Sequence, residues 1–74
     1  MAHQDKEKIV GTVIESLPNA MFKVIFKDEN GNQSEQLTFL AGKMRLHRIR
    51  ILVGDRVEVE KDEYGGKGRI VRRL

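Results

Sequence analysis

Short apolar runs separated by polar punctuation organise this chain. Lys8 to Glu15 (KIVGTVIE) is rich in β-branched residues and predicts a first strand. Gly11 inside that run predicts a bulge or bend. Ser16 to Ala20 breaks the pattern as a loop and holds the only proline, Pro18. Met21 to Lys27 (MFKVIFK) predicts a second strand, with Phe22, Val24 and Phe26 on one face and Lys23 and Lys27 on the other. Asn30-Gly31 then predicts a hairpin in which both residues take positive φ. Gln33 to Leu40 is the return strand. Its facing stays open, with Leu37 and Phe39 on one side and Thr38 and Leu40 on the other.

The second half follows the same logic. Ala41 to His47 lacks alternation and reads as a loop with one short helical turn. From Arg48 to Leu52 the pattern alternates, Ile49 and Ile51 pointing one way and Arg48 and Arg50 the other. Val53-Gly54-Asp55 is a turn. Arg56 to Glu60 is an amphipathic strand with Val57 and Val59 inward. Lys61 to Gly66 is a polar loop holding Tyr64, and Lys67 to Arg72 is the last strand, around Ile70 and Val71. Met1 to Glu7 has no periodicity and is expected to be a flexible tail, leaving 8–74 as one domain.

Five strands with a helical turn between the third and fourth have the element order of the OB-fold, a five-stranded Greek-key barrel. The expected class is therefore all-β. An SH3-like barrel, the main rival, more usually places its helical turn between strands four and five. Closure also removes the exposed edges that make a small all-β chain prone to aggregate. The expected core is Val24, Phe26, Ile49, Ile51, Val57, Val59 and Ile70. With 74 residues the chain buries only roughly 60% of its unfolded surface, so stability is expected to be modest.

Charge adds a functional hint. The net charge is +3, unevenly spread. Residues 1–42 hold four lysines against six acids, for −2, whereas residues 43–74 hold ten Lys/Arg against five acids, for +5. Two stretches without acids stand out: Lys43, Arg45, Arg48 and Arg50 in one, Lys67, Arg69, Arg72 and Arg73 in the other. Clustered cations are the electrostatic footprint of a polyanion partner. The plainer reading is solubilising charge, and five acids between Asp55 and Glu63 keep the chain from being uniformly basic. The absence of cysteine excludes disulfides and Zn–thiolate sites, and two histidines cannot make a three-ligand metal site alone. No metal or cofactor is expected. No apolar run approaches membrane-spanning length and no signal-peptide pattern is present, so a cytoplasmic location is expected.

The ordered set of short motifs resembles bacterial translation initiation factor one. The residues that carry the resemblance are Gly11-Thr12-Val13-Ile14-Glu15, Leu17-Pro18-Asn19, Met21-Phe22-Lys23-Val24, Gly42-Lys43-Met44-Arg45, Ile49-Arg50-Ile51-Leu52, Gly54-Asp55-Arg56-Val57 and Lys67-Gly68-Arg69-Ile70. They span about residues 8–73. The resemblance implies an OB-fold protein related to the S1 RNA-binding domain. It implies binding to small-subunit ribosomal RNA in the decoding region, at the aminoacyl-tRNA site, and action with the two other initiation factors. It also implies a free monomer without enzymatic activity. The chain departs from the family pattern at Arg48, where an aromatic is common, at Phe39, where His or Tyr is common, and in a shortened loop after Tyr64.

Lys43, Arg45, Arg48 and Arg50 are the strongest candidate RNA contacts, because guanidinium and ammonium groups bind phosphate and a guanidinium also lies flat against a base. Lys67, Arg69 and Arg72 form a second group, with strand-end solubility as the alternative; Arg73 and Leu74 are expected to fray. His47, among these cations, fits an RNA contact or a packing role better than a general base. Lys23 and Tyr64 are further candidates, Tyr64 as a stacking or 2′-hydroxyl contact. Pro18 and Asn19 form a loop tip able to enter a minor groove, as the resemblance implies; a simple turn is the alternative. Glu58 and Glu60 read as a solvated face away from the RNA. Ser16 and Ser34 lack a nucleophile-elbow context. Gly65-Gly66-Lys67-Gly68 lacks the ending and following helix of a phosphate loop. Catalysis finds no support. The alternative function is that of a generic small OB-fold RNA-binding protein or RNA chaperone.

Overall fold

The computed structural model describes residues 7–62 and 66–74. The expected tail lies outside the described residues except for Glu7, whose carbonyl accepts the Lys61 amide hydrogen at 2.9 Å. Five strands and one helix follow in the order β1 (Lys8–Leu17), β2 (Met21–Lys27), β3 (Gln33–Leu40), α1 (Gly42–Leu46), β4 (Arg56–Glu60) and β5 (Gly68–Arg73). The strands close into a barrel in the spatial order β1-β2-β3-β5-β4. All neighbours are antiparallel except β3 and β5, which pair in parallel through Thr38, Phe39 and Leu40 opposite Gly68, Arg69 and Ile70. This is the expected OB architecture, with the helix between the third and fourth strands.

The period-2 pattern sets what faces inward. Phe22, Val24 and Phe26 of β2 are buried, as are Val57 and Val59 of β4 and Ile70 of β5. Ile51 is buried and Ile49 packs against the same cluster, which also takes in Val13, Ala41 and Met44. Thr38 resolves the facing of β3. It is fully buried, and its hydroxyl donates to the Phe22 carbonyl at 2.9 Å, so the polar group carries no unmet bond. Leu37 is exposed.

Three expectations need correction, and the run after the helix needs a structural reason for its alternation. Gly11 is not a bulge; it sits opposite Val57 in regular pairing, and the β1 irregularity falls between Val13 and Glu15, which leaves Ile14 as the extra residue. What Gly11 supplies is space, since a β-carbon there would lie 2.5 Å from Val24 Cγ1 and 2.8 Å from the Ile25 carbonyl oxygen. In the β2–β3 hairpin only Gly31 takes positive φ (84°). Asn30 does not, because the loop is wider than a two-residue turn. The Asp28 carboxylate accepts the Asn30 and Asn32 amides, both at 2.9 Å, and Gln33 is the first residue to pair, opposite Lys27.

The alternating run Arg48–Leu52 forms no strand pairing among the described residues. It leaves α1 through a left-handed residue: Arg48 has φ 54°, its amide donates to the Arg45 carbonyl at 3.1 Å, and the Ile49 amide donates to the Met44 carbonyl at 3.0 Å. That is a Schellman termination, completed by the apolar contact of Ile49 and Met44 with the core. Finally, the chain end is held. Arg73 pairs opposite Val57, and the Leu74 amide donates to the Arg56 carbonyl at 2.9 Å.

Candidate nucleic-acid interface

Packing of α1 against β5 brings Lys43 of the first basic stretch beside Arg69 and Arg72 of the second. Helix α1 buries Met44 and leaves Lys43, Arg45 and Leu46 exposed. Along β5, Gly68 and Ile70 face inward, so Arg69 stands outward on the opposite parity and Arg72 and Arg73 are exposed. A bulge opposite the Glu58–Val59 step leaves Val71 as the extra residue on β5.

Three surface cavities lined by described residues lie along this side. The first, about 490 Å³, lies between α1, β4 and β5, and its charged lining includes Lys8, Lys43, Arg69 and Arg72 with Glu58 and Glu60. A second, about 220 Å³, is lined by Phe39, Glu60, Lys61, Asp62, Lys67 and Arg69. The third, about 450 Å³, has Lys43, His47, Arg72 and Arg73 around an apolar floor of Met44, Ile49 and Val71. Arg69 is common to the first two, and Lys43 and Arg72 to the first and third. The cations thus form a connected band. Arg50 is exposed and lines none of the three cavities, although its backbone carbonyl accepts from Arg73 Nη1 at 3.0 Å.

A closed five-stranded barrel of this order is the OB architecture, and comparison with known proteins settles the family. The family model described as Translation initiation factor 1A / IF-1 matches residues 1–74. The chain belongs to this family. It is similar to translation initiation factor one from the Wolbachia endosymbiont strain TRS of Brugia malayi, with 42% identity and a TM-score of 0.67, covering 92% of this chain and 77% of that one. It is also similar to YjeQ from Thermotoga maritima, with 38% identity and a TM-score of 0.69 over 92% of this chain, but the chain spans only 23% of the YjeQ chain. Membership in the family makes the chain a translation initiation factor of OB fold.

Of the residues singled out in the sequence, Lys43, His47, Lys67, Arg69 and Arg72 line the three cavities. Arg45 and Arg48 are exposed on α1 and the turn after it but line none of the three, and neither do Lys23, Pro18 and Asn19. Lys23 lies 3.4 Å from a Glu15 carboxylate oxygen and 4.0 Å from one of Glu35. Asn19 has φ 65° at the tip of the β1–β2 turn. Tyr64 lies outside the described residues.

The expected separation of Glu58 and Glu60 from the cations does not hold. Glu58 is opposite Arg72 and Glu60 opposite Arg69 in the β4–β5 ladder, and Arg69 Nη2 donates to Glu60 Oε1. Alternation along β4 placed both carboxylates on the outer face, but that face is the one the β5 arginines also occupy. Sequence reasoning also missed Lys8 and set Arg73 aside as a fraying end. Lys8 opens β1 directly opposite Glu60, a pairing set by barrel closure and invisible in a local pattern.

Proposed function

We propose that this translation initiation factor binds small-subunit ribosomal RNA at the aminoacyl-tRNA site, near the decoding region, as a monomer in the cytoplasm, and acts there with the two other initiation factors. The observation that carries the reading is the connected band of cations from Lys67 through Arg69, Lys43 and Arg72 to Arg73, with His47 beside it. Such a band meets a phosphate backbone by charge, and its guanidinium planes can also lie against splayed bases. Among the described residues Phe39 is the one aromatic beside these cations, so stacking of several successive bases is not the mode this surface supports. A folded RNA surface read by shape and phosphate position suits it better. The chemistry such a band offers is binding.

The test is a titration of the protein onto isolated small subunits at several salt concentrations, with and without a competing ligand of the aminoacyl-tRNA site. Binding should fall as salt rises and be displaced by the competitor. Lys43→Glu should weaken it and lower the salt slope by roughly 0.7–0.9 if one phosphate contact is lost. Salt-dependent binding without competition would instead support a generic RNA-binding protein or RNA chaperone. Salt-independent binding would remove the electrostatic basis of the proposal.

A further inference from the structure

Glu60 is an acid at the centre of a surface rich in cations, which also carries Glu58 and Asp62. Its side chain is 15% exposed, against 41% for Arg69, with which it pairs across the β4–β5 ladder. The pair forms the wall between the first two cavities, since both residues line each of them. Neighbouring β3 sets Phe39 beside Arg69 in the parallel seam. An unpaired arginine on an exposed strand samples many rotamers and meets any phosphate that approaches. A guanidinium held by a carboxylate presents its remaining N–H groups in a fixed direction.

We propose that Glu60 is a positioning and specificity-determining residue, which fixes the Arg69 guanidinium between the two cavities and makes the basic band discriminate against unstructured polyanions. The inference rests on the RNA-binding reading above. Two effects act together. The carboxylate competes with a loosely placed phosphate for Arg69, so a flexible single strand gains little there. A folded RNA whose phosphate and base edges match the fixed donors gains the contact without the cost of ordering the side chain. Specificity arises when a group penalises the wrong partner as well as serving the right one. Glu58 stands opposite Arg72 two pairs along the ladder, and both line the first cavity.

The experiment compares affinity for isolated small subunits with affinity for poly(U), across a salt series, for the wild type, Glu60→Gln, Arg69→Lys and Arg69→Gln. Thermal unfolding is followed in parallel. Glu60→Gln should bind poly(U) about 3- to 10-fold more tightly, with a salt slope steeper by about 0.7, because Arg69 is released to a phosphate. Its subunit affinity should not rise in proportion, so the ratio of the two falls. Arg69→Lys keeps the charge but loses the fork, and should lower the same ratio without tightening poly(U) binding. In an Arg69→Gln background, Glu60→Gln should change the ratio no further, which a purely structural role for Glu60 would not predict. A wild-type ratio retained in Glu60→Gln and Arg69→Lys overturns the inference and leaves the ribosomal reading standing. A wild type that does not prefer subunits to poly(U) overturns both.

Discussion

Replacing Gly11 with alanine tests the barrel where β1 crosses the core. The added methyl would meet Val24 Cγ1 at 2.5 Å, Phe26 Cδ1 at 2.7 Å and the Ile25 carbonyl oxygen at 2.8 Å. Carbon atoms rest at about 3.5–4.0 Å, so the side chains would have to give by about 1 Å. They have little freedom to do so. Val24 is fully buried and Phe26 nearly so, and the Ile25 oxygen belongs to the β2 backbone, which pairs with Thr12. Inserting a methyl into such a core costs about 1–3 kcal/mol, with a backbone contact favouring the upper part. Reduced freedom of the unfolded chain returns about 0.4–1 kcal/mol. The net loss is about 2 kcal/mol, which in a domain of this size lowers Tm by about 8–16 °C. Circular dichroism during heating and in urea would read both Tm and the midpoint. Gly42→Ala is the control, because nothing lies within 4 Å of its added carbon, and it should stay within about 0.5 kcal/mol of wild type. A Gly11→Ala variant as stable as the wild type would mean that β1 and β2 do not approach as described.

Other consequences can be measured in the same way. Ile51→Ala should cost about 2–5 kcal/mol in urea unfolding, since Ile51 belongs to the buried cluster; a loss under about half a kcal/mol would remove it from the core. Gly31→Val should destabilise by about 1–2 kcal/mol through its φ of 84° alone, with subunit binding unchanged once folded; loss of binding at full stability would place that hairpin on the interface. Arg48→Gly should raise stability by about 0.5–1 kcal/mol by relieving the left-handed residue at the end of α1, and should lower the salt slope of subunit binding if Arg48 meets a phosphate. A loss of stability in that variant would contradict the Schellman termination.

The fold was legible wherever one strand carried its own alternation. Met21–Lys27 has the bounds that the pattern gave, and Val57 and Val59 face inward as read, whereas Gln33–Leu40 has its expected bounds but a facing settled only by the burial of Thr38. The run after α1 shows the limit. Ile49 and Ile51 go to the core and Arg48 and Arg50 to solvent, yet by way of a helix cap rather than a strand, because period 2 reports facing and says nothing about hydrogen-bond partners. Gly11 was legible as special but not why, since the reason is a contact with the neighbouring strand. The candidate site was legible as charge. That Lys43 of one cluster lines a cavity with Arg69 and Arg72 of the other follows from the packing of α1 against β5, which a local pattern does not carry. The place of Glu60 was not legible, because its partner lies across a ladder whose register depends on the bulge at Val71.

The parallel seam between β3 and β5 has a bearing on how the chain reaches its native state. The three-strand meander β1-β2-β3 assembles from neighbouring segments, but it cannot cover Val13, Phe22, Val24 and Phe26 by itself. The two seams that join the meander to β4 and β5 need the later part of the chain, one pairing Lys8 with Glu60 and the other Thr38 with Gly68. Loops of that length must close before either seam contributes, which places such a topology among folders in the millisecond-to-second range. A polypeptide emerging amino end first therefore exposes an unroofed apolar trough until β5 is available. Substitutions in β5 that leave the β2 core untouched, such as Gly68→Ala against Val59, are then expected to prolong the lifetime of that open, aggregation-prone form more than their effect on final stability would indicate.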